Sequence, residues 1–263
     1  MTSGFRIDSL DIRVYRDRLS MGRSAAEMVA DRVTLLLNEQ KFVNIVFAAA
    51  PSQNEFLAAL IAIKHIDWKR INAFHMDEYI GLPEGAPQKF GSFLKEKVFK
   101  HVPLNTVNYL NGNAINPEAE CNRYIGLLAQ YPPDIVCMGI GENGHIAFND
   151  PHVADFNDRH QVKIVDLDQE CRQQQVNDRC FSCLEQVPTH ALTLTIPALM
   201  AGKYIYCMVP GKNKANAVYN TLNAEINEQC PASVLRKHPQ AVLFLDEDSS
   251  FKLNLDDQKS IKP

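Results

Sequence analysis

Two adjacent carboxylates follow an apolar run that is typical of a buried strand. The segment reads Met76-Asp77-Glu78-Tyr79 and is ended by Gly81 and Pro83. A carboxylate in such a place can remove a proton from a carbon next to a carbonyl group, provided that burial keeps it basic and the proton lies within reach. The same acidic pair could instead cap a helix or lie in a loop. We therefore take Asp77 as the candidate general base.

A glycine-rich segment follows a second apolar run. Its first part, Gly139 to Gly144, fits the Gly-x-Gly-x-x-Gly pattern of dinucleotide-binding proteins. That pattern normally opens a long helix, whereas Pro151 would stop any helix within about two turns. The glycines would instead let backbone amides, that of Gly144 included, approach a ligand closely. Because His145 and Asp150 lie on the same loop, the segment favours acid and base chemistry, although a loop histidine is often structural.

Two further turns could bind an anion. Pro210-Gly211-Lys212-Asn213-Lys214 precedes a predicted helix, whose first amides and dipole attract negative charge. Lys214 is the candidate phosphate contact, with a solvated lysine as the alternative. The turn 48–53 could offer its amides and the hydroxyl of Ser52 to the same anion.

Apolar runs rich in β-formers alternate with helical patterns, which predicts an α/β fold with a mostly parallel sheet and some edge or antiparallel strands. The predicted strands are 44–49, 70–75, 106–110, 134–138, 161–165, 191–196, 204–209 and 241–245. The predicted helices are 24–39, 53–64, 90–100, 117–130 and 213–224. Ligands bind at the carboxyl ends of strands in such sheets, which is where the candidate residues lie.

Composition sets the class of protein. The chain has 263 residues, of which 46% are hydrophobic and 22% charged, so it can bury a full core. Its 27 basic against 31 acidic residues give a net charge of −4, which disfavours nucleic acid as a partner. No linker divides residues 1–263, and we predict a single domain. No apolar stretch approaches the roughly 20 residues of a membrane span, and no secretory signal is visible, so we expect a cytoplasmic protein without a membrane partner.

The seven cysteines are odd in number and scattered, which argues against a disulfide framework. Cys180 and Cys183 form one Cys-x-x-Cys and could be half of a zinc site, but no second pair stands at the usual spacing. We therefore expect reduced thiols and no metal.

From about residue 13 to residue 245 the chain resembles the glucosamine-6-phosphate deaminase (isomerase) family. The matching segments are 74–83, 110–113, 139–151, 186–188 with 191–193, 211–214 and 232–239. The resemblance implies a three-layer α/β/α Rossmann-like fold. It also implies conversion of an amino-sugar 6-phosphate and water to a ketose 6-phosphate and ammonia, with a sugar phosphate as partner and no cofactor. Monomers and hexamers are both familiar in this family, so a homo-oligomer stays open.

The resemblance also implies roles for four residues. Asp77 matches the aspartate that moves a proton from C2 to C1 of the ring-opened sugar, and His145 matches the histidine that opens the ring. Asn143 stands where the family usually has aspartate, and Asp150 where it has glutamate. An amide can still hold the imidazole but cannot stabilise its charge, and Asp150 is one methylene shorter. Deaminases that act on the galacto epimer look similar at Asn143, which leaves the hexosamine open.

Phosphate recognition departs from the family as well. Its Gly-Gly-Thr-Pro or Gly-Ser-Thr-Pro turn is replaced by Ala50-Pro51-Ser52-Gln53. The family's phosphate-binding arginine aligns near Gln175, which leaves Arg172 or Arg179 as substitutes one turn away. We carry forward Arg172 with Ser52, Gly144 and Lys214 as substrate contacts.

Two other functions remain open. A 6-phosphogluconolactonase would share the fold and a similar Gly-His segment, but it resembles this chain less after His145 and over 76–79. A non-catalytic sugar-phosphate sensor would bind without turnover. The regulators that use this fold carry a helix-turn-helix, for which residues 1–43 are too short.

Overall fold

The computed structural model describes residues 1–254, and its strands form two sheets. In chain order the strands are β1 Ser3–Ile7, β2 Leu10–Tyr15, β3 Val43–Phe47, β4 Ile71–His75, β5 Asp77–Tyr79, β6 Thr106–Asn108, β7 Ile135–Met138, β8 Val162–Asp166, β9 His190–Leu194, β10 Tyr204–Val209 and β11 Ala241–Asp246. The central sheet has eight strands in the order β1-β2-β11-β10-β7-β3-β4-β6. Its neighbours run parallel except for the β1-β2 hairpin, and a smaller antiparallel sheet has the order β5-β9-β8.

The helices cover both faces of the central sheet. They are α1 Arg18–Glu39, α2 Asn54–Ala62, α3 Phe90–Leu94, α4 Pro117–Gln130, α5 Gln169–Asn177, α6 Ile196–Met200 and α7 Ala215–Asn223. Successive residues of β3 point to opposite faces, so Ile45 and Phe47 join the core under α1, α2 and α3, whereas Val46 joins the core under α4, α6 and α7. The predicted mostly parallel three-layer α/β/α architecture is confirmed.

Several predicted boundaries were wrong. The strand predicted over 191–196 ends at Leu194, because Thr195 accepts a hydrogen bond from the amide of Ala198 and begins α6 at Ile196. The helix predicted over 90–100 is α-helical only over Phe90–Leu94 and continues as a π-helical turn. In both places the apolar pattern correctly indicated a regular element. It does not reveal which backbone groups are hydrogen-bonded to each other, and that decides where the element ends or changes type.

Five elements were missing from the prediction, namely β1, β2, β5, α5 and α6. In β1 Gly4 and Arg6 face solvent and no residue is fully buried, so no apolar run marked the strand. β5 is only three residues long and follows β4 after a single residue. In α5 few apolar residues are present, and its clearest signal is the Asp168 side chain, which accepts a hydrogen bond from the amide of Cys171 at 2.7 Å.

The middle of the central sheet positions the candidate residues. β10, β7, β3 and β4 are adjacent and parallel, so the chain leaves all four at the same edge. The segments that follow them carry Lys214, His145, Ser52 and Asp77, respectively. In residues 1–254 no helix combines the length and apolar character needed to cross a membrane.

Candidate active site

One cavity opens at this edge of the sheet, and its walls come from all four strand ends. Asp77, His145, Ser52 and Lys214 all line it, together with Gln175 from α5. The residues that the sequence placed after different strands therefore share one site.

Asp77 presents a carboxylate that is buried but unpaired. The side chain lines the cavity at 7% exposure, and its carboxylate makes no hydrogen bond within residues 1–254. Burial, with a smaller contribution from the negative charge of Glu78, raises the pKa of Asp77 well above its usual range. A carboxyl group with a raised pKa and free lone pairs is a stronger base than an ordinary aspartate.

The neighbouring carboxylate has a structural task. Glu78 accepts hydrogen bonds from the amides of Tyr79, Phe90 and Gly91 at 2.9, 3.1 and 3.0 Å, so it caps the start of α3. Because successive residues of a strand point in opposite directions, only Asp77 of the pair faces the cavity. Both interpretations of the acidic pair are thus realised, each by one residue.

His75, the last residue of β4, holds the turn that carries Asp77. Its Nδ1 donates to the carbonyl oxygen of Asp77 at 2.8 Å, and its Nε2 accepts from the amide of Leu110 at 2.9 Å. Burial lowers the pKa of His75 to about 4. The sequence analysis treated this residue only as part of a motif, although its position at a strand end was an available signal.

Asn143, His145 and Asp150 form a hydrogen-bonded group beside the cavity. Nδ1 of His145 lies 2.8 Å from Oδ1 of Asn143 and 2.9 Å from Oδ1 of Asp150. Both neighbours are acceptor oxygens, so Nδ1 carries a proton. In the neutral imidazole Nε2 is then free to accept a proton from a ligand in the cavity.

Asn143 and Asp150 stand behind the histidine. Nδ2 of Asn143 donates to Oδ1 of Asp150 at 2.8 Å, and neither residue lines the cavity. Burial alone would raise the pKa of Asp150, but the charge of His145 and the hydrogen bonds from His145 and Asn143 lower it to about 2. Asp150 is therefore ionised at neutral pH and orients the imidazole.

Two glycines shape this loop in different ways. A Cβ atom on Gly141 would overlap the ring of His145, so only glycine lets the imidazole lie against the backbone there. Gly144 has a φ of 88° and donates its amide to the carbonyl of Gly141 at 3.1 Å. Its predicted role as a ligand contact is not supported by this geometry, because Gly144 does not line the cavity and its amide is used within the loop.

Lys214 and Ser52 line the side of the cavity predicted to bind phosphate. Lys214 ends a short 3₁₀ turn before α7 and is 6% exposed. Burial lowers its pKa, against the opposing charges of Asp178 and Glu142. The Oγ of Ser52 accepts a hydrogen bond from Gln53 at 3.1 Å, which leaves its proton for another acceptor.

Arg172, which the sequence analysis expected to contact substrate, does not line the cavity. Its guanidinium donates to the carbonyl oxygens of Leu184 at 2.7 Å and of Val187 at 3.0 Å, so it anchors the segment after α5. Gln175, three residues further along the same helix, lines the cavity instead. Residues three apart lie on nearly the same face of a helix, so helical phase does not separate the two. The guanidinium of Arg172 is instead held away from the cavity by its hydrogen bonds to the segment after α5. Arg179 does not line the cavity either.

One group of side chains in residues 1–254 could hold a metal ion. Ligand atoms of His145, Asp150 and Cys171 lie within 4.8 Å of one another. The imidazole and the carboxylate already bond to each other there, and burial raises the pKa of the Cys171 thiol, which opposes the thiolate that a metal requires. Cys180 and Cys183 belong to no such group within the described part of the chain.

Comparisons with known proteins identify the family to which the chain is similar. The model of the glucosamine-6-phosphate isomerase/6-phosphogluconolactonase family matches residues 16–244. A glucosamine-6-phosphate deaminase of Listeria innocua is 33% identical over 234 residues, which cover 89% of this chain and 96% of that protein. One of Bacillus cytotoxicus is 40% identical over 184 residues, covering 70% and 68%.

Solved structures show the same fold. A monomeric glucosamine-6-phosphate deaminase superposes with a TM-score of 0.82 at 29% identity, covering 91% of this chain and 98% of that one. A 6-phosphogluconolactonase from Thermotoga maritima gives a TM-score of 0.73 at 21% identity, covering 90% and 99%. The family match spans most of the chain, so the protein belongs to the family of glucosamine-6-phosphate isomerases and 6-phosphogluconolactonases.

Proposed function

We propose that this protein is an amino-sugar 6-phosphate deaminase that converts glucosamine 6-phosphate, or a closely related hexosamine 6-phosphate, and water to the ketose 6-phosphate and ammonia. One observation carries the proposal. A buried, unpaired carboxylate with a raised pKa, that of Asp77, shares a cavity with a histidine whose Nδ1 is held by acceptors. These are the two proton-transfer groups that the reaction needs.

Substrate binding and ring opening come first. Lys214 and the hydroxyl of Ser52 bind the phosphate of the sugar. Nε2 of His145 accepts the proton of the C1 hydroxyl as the bond from C1 to the ring oxygen breaks, and the same proton then neutralises that oxygen. Asp150 stays ionised and stabilises the imidazolium that forms in between.

Proton transfer between carbons follows. The amine of the open-chain aldehyde enters as an ammonium group. The carboxylate of Asp77 takes the C2 proton while an ammonium proton moves to O1, which leaves an enolamine, and Asp77 then returns its proton to C1. The product carries an iminium group at C2. Water adds to C2 and ammonia leaves, which gives the ketose phosphate with all atoms balanced.

The departures from the family pattern are compatible with this chemistry. Asn143 offers its amide oxygen to His145 and its amide nitrogen to Asp150, so it bridges the two groups. An aspartate at that position would bring a second negative charge against Asp150. We infer that Asn143 and Asp150 act together, with one carboxylate supplying the charge and one amide the orientation.

The test is release of ammonia and ketose 6-phosphate from glucosamine 6-phosphate, with the galacto epimer and 6-phosphogluconolactone measured in parallel. Turnover of either hexosamine phosphate supports the proposal and identifies the substrate. Lactone hydrolysis without ammonia release would assign the chain to the lactonase branch. Binding of a sugar phosphate with no turnover of any of the three would indicate a sensor.

A matched variant separates binding from chemistry. Lys214→Ala should raise the KM for the phosphorylated sugar, whereas Lys212→Ala, in the same turn but exposed, should not. An unchanged KM in Lys214→Ala would show that the phosphate binds elsewhere.

A further inference from the structure

The cavity contains fewer cations than recognition of a phosphate dianion would suggest. Among the described residues that line it, Arg18 and Lys214 are the only arginine or lysine side chains. Gln175 occupies the wall supplied by α5, and Arg172 of that helix points its guanidinium at backbone carbonyls. Arg18 was not among the residues singled out from the sequence.

A close helix crossing brings Arg18 to the cavity. A Cβ atom on Gly22 would lie 2.7 Å from backbone atoms of Glu55 and Phe56, so α1 and α2 touch at this glycine. Arg18 is one turn before Gly22 and therefore on the same face of α1. The glycine thus places the arginine over the start of α2 and the turn before it.

The guanidinium of Arg18 is held on one side and open on the other. Its Nε and Nη2 donate to the two carboxylate oxygens of Glu55 at 3.1 and 2.9 Å, and Nη2 also donates to the carbonyl of Pro51 at 3.0 Å. Its Nη1 makes no hydrogen bond within residues 1–254, and the side chain is 43% exposed. Pro51 immediately precedes Ser52, the hydroxyl assigned to phosphate.

The ion pair with Glu55 orients Arg18 without using all of its donors. An arginine carries five N–H groups in a rigid fork, so a carboxylate on one edge leaves donors for a second anion. Because Glu55 and Pro51 already fix the side chain, little conformational entropy remains to be lost when a ligand binds. The charge of Glu55 weakens the attraction, which a doubly charged phosphate tolerates better than a singly charged group.

We propose that Arg18 is a second cationic phosphate ligand, which supplies from the N-terminus of α1 the arginine that α5 lacks. This inference rests on the proposed function, since it assigns the phosphate group of that substrate. Lys214 and Arg18 would contact the phosphate from two elements of the fold, with Ser52 beside Arg18.

Three variants test the proposal. Arg18→Gln removes both the charge and the ion pair. Glu55→Gln weakens the same ion pair but keeps the guanidinium at the cavity. Arg23→Gln, an exposed arginine on the same helix that does not line the cavity, is the matched control. The measurements are the Kd for glucose 6-phosphate, which has no amine to release, by calorimetry, and the KM and kcat for the hexosamine phosphate.

Arg18→Gln should raise the Kd and the KM by about tenfold or more, as expected for loss of a hydrogen bond between charged groups, with a smaller effect on kcat. Glu55→Gln should leave the Kd unchanged or lower it, and Arg23→Gln should leave it unchanged. The proposal is overturned if Arg18→Gln and Glu55→Gln weaken binding equally, since Arg18 would then only hold the turn. Wild-type affinity in Arg18→Gln would overturn it too.

The Kd for glucose 6-phosphate distinguishes failure of this inference from failure of the proposed function. If no hexosamine phosphate is turned over, a selective loss of glucose 6-phosphate binding in Arg18→Gln still supports the ligand assignment. If turnover is present and the binding of Arg18→Gln is normal, the deaminase proposal stands and this inference fails.

Discussion

Asp77 and Asp150 are buried carboxylates that flank the same histidine-lined cavity, yet their pKa values move in opposite directions. Asp77 has no hydrogen-bond partner for its carboxylate within residues 1–254, and burial raises its pKa. Asp150 is fully buried, but His145 and Asn143 overcome the effect of burial and lower its pKa to about 2. Burial therefore raises the pKa of a carboxylate, and so its basicity, only where the carboxylate has no hydrogen-bonding or charged partner. Where such partners are present, as at Asp150, the buried carboxylate stays ionised and orients its neighbour.

Removing the unpaired carboxylate should have the largest effect. We expect Asp77→Asn to lower exchange of the C2 proton with solvent by about 10² to 10⁴ fold, because Asp77 is the buried, unpaired carboxylate of the cavity wall. Asp178 also lines the cavity, but it is half-buried and accepts a hydrogen bond from Gln174. Proton exchange is measured by incorporation of deuterium into the substrate.

The same variant should be more stable than the wild type at neutral pH. The folded-state pKa of Asp77 lies above the unfolded value of about 4, so the wild type loses stability as pH rises from 4 through the folded pKa. Asparagine cannot ionise, so the variant does not lose this stability. The Tm of Asp77→Asn should therefore exceed that of the wild type at pH 7, and the difference should be smaller at pH 4. Retained exchange would exclude Asp77 as the base.

Displacing the histidine should have the next largest effect. Gly141→Ala puts a methyl group where the ring of His145 lies, and a displacement of about 1 Å costs on the order of 10² in rate. The loss should be greater for closed-ring substrate than for exchange on an open-chain analogue. Gly126→Ala is the control, since a Cβ there meets nothing within 4 Å. Equal activity of the two variants would contradict the packing described.

Removing the paired carboxylate should lower stability, besides slowing the ring opening in which Asp150 supports His145. Asp150 contributes above its unfolded pKa of about 4, and its contribution is lost as pH falls toward 2, a shift that corresponds to about 2 kcal/mol. Asp150→Asn should therefore lower the free energy of unfolding at pH 7 by about that amount and by much less at pH 2. Urea titrations at both pH values measure this. Asp31→Asn, on the exposed side of α1, should show neither effect.

Giving Asn143 a charge should produce the smallest change. Asn143→Asp replaces the 2.8 Å hydrogen bond to Asp150 by a contact between two carboxylates, which must share a proton to coexist. We expect a loss of about 1 kcal/mol at pH 7 that shrinks as the pH is lowered and the pair is protonated. The double variant Asn143→Asp/Asp150→Asn exchanges the carboxylate and the amide between the two positions, and it should recover most of the lost stability. No recovery would mean that the positions are not equivalent partners of His145.

The sequence sufficed to place the main groups at the site. Asp77, His145, Ser52 and Lys214 each follow a run of apolar β-formers, and parallel strands bring their carboxyl ends to one edge. The layers were equally predictable, because alternating strands and amphipathic helices leave few arrangements.

The sequence could not show which way individual side chains point or which elements of the fold touch each other. Which of Asp77 and Glu78 faces the cavity depends on the pleat of a three-residue strand. Arg172 lies away from the cavity because its guanidinium bonds to the carbonyls of Leu184 and Val187, contacts that no sequence pattern reveals. Arg18 was invisible because its position depends on the contact between two helices at Gly22, about thirty residues from the turn it supports.

Both ring nitrogens of the buried His75 are hydrogen-bonded, and its titration makes the stability of the protein depend on pH under acidic conditions. Its pKa of about 4 lies below the ordinary 6.5, so the unfolded chain takes up a proton that the folded protein refuses as pH falls from 6.5 to 4. Stability is thus fully present above pH 6.5 and declines by about 3 kcal/mol across that window. An ionisation seen near neutrality in a pH-rate profile cannot be that of His75. As pH falls, activity is therefore lost in two ways: the base Asp77, whose pKa is raised, becomes protonated, and the turn that carries it loses stability.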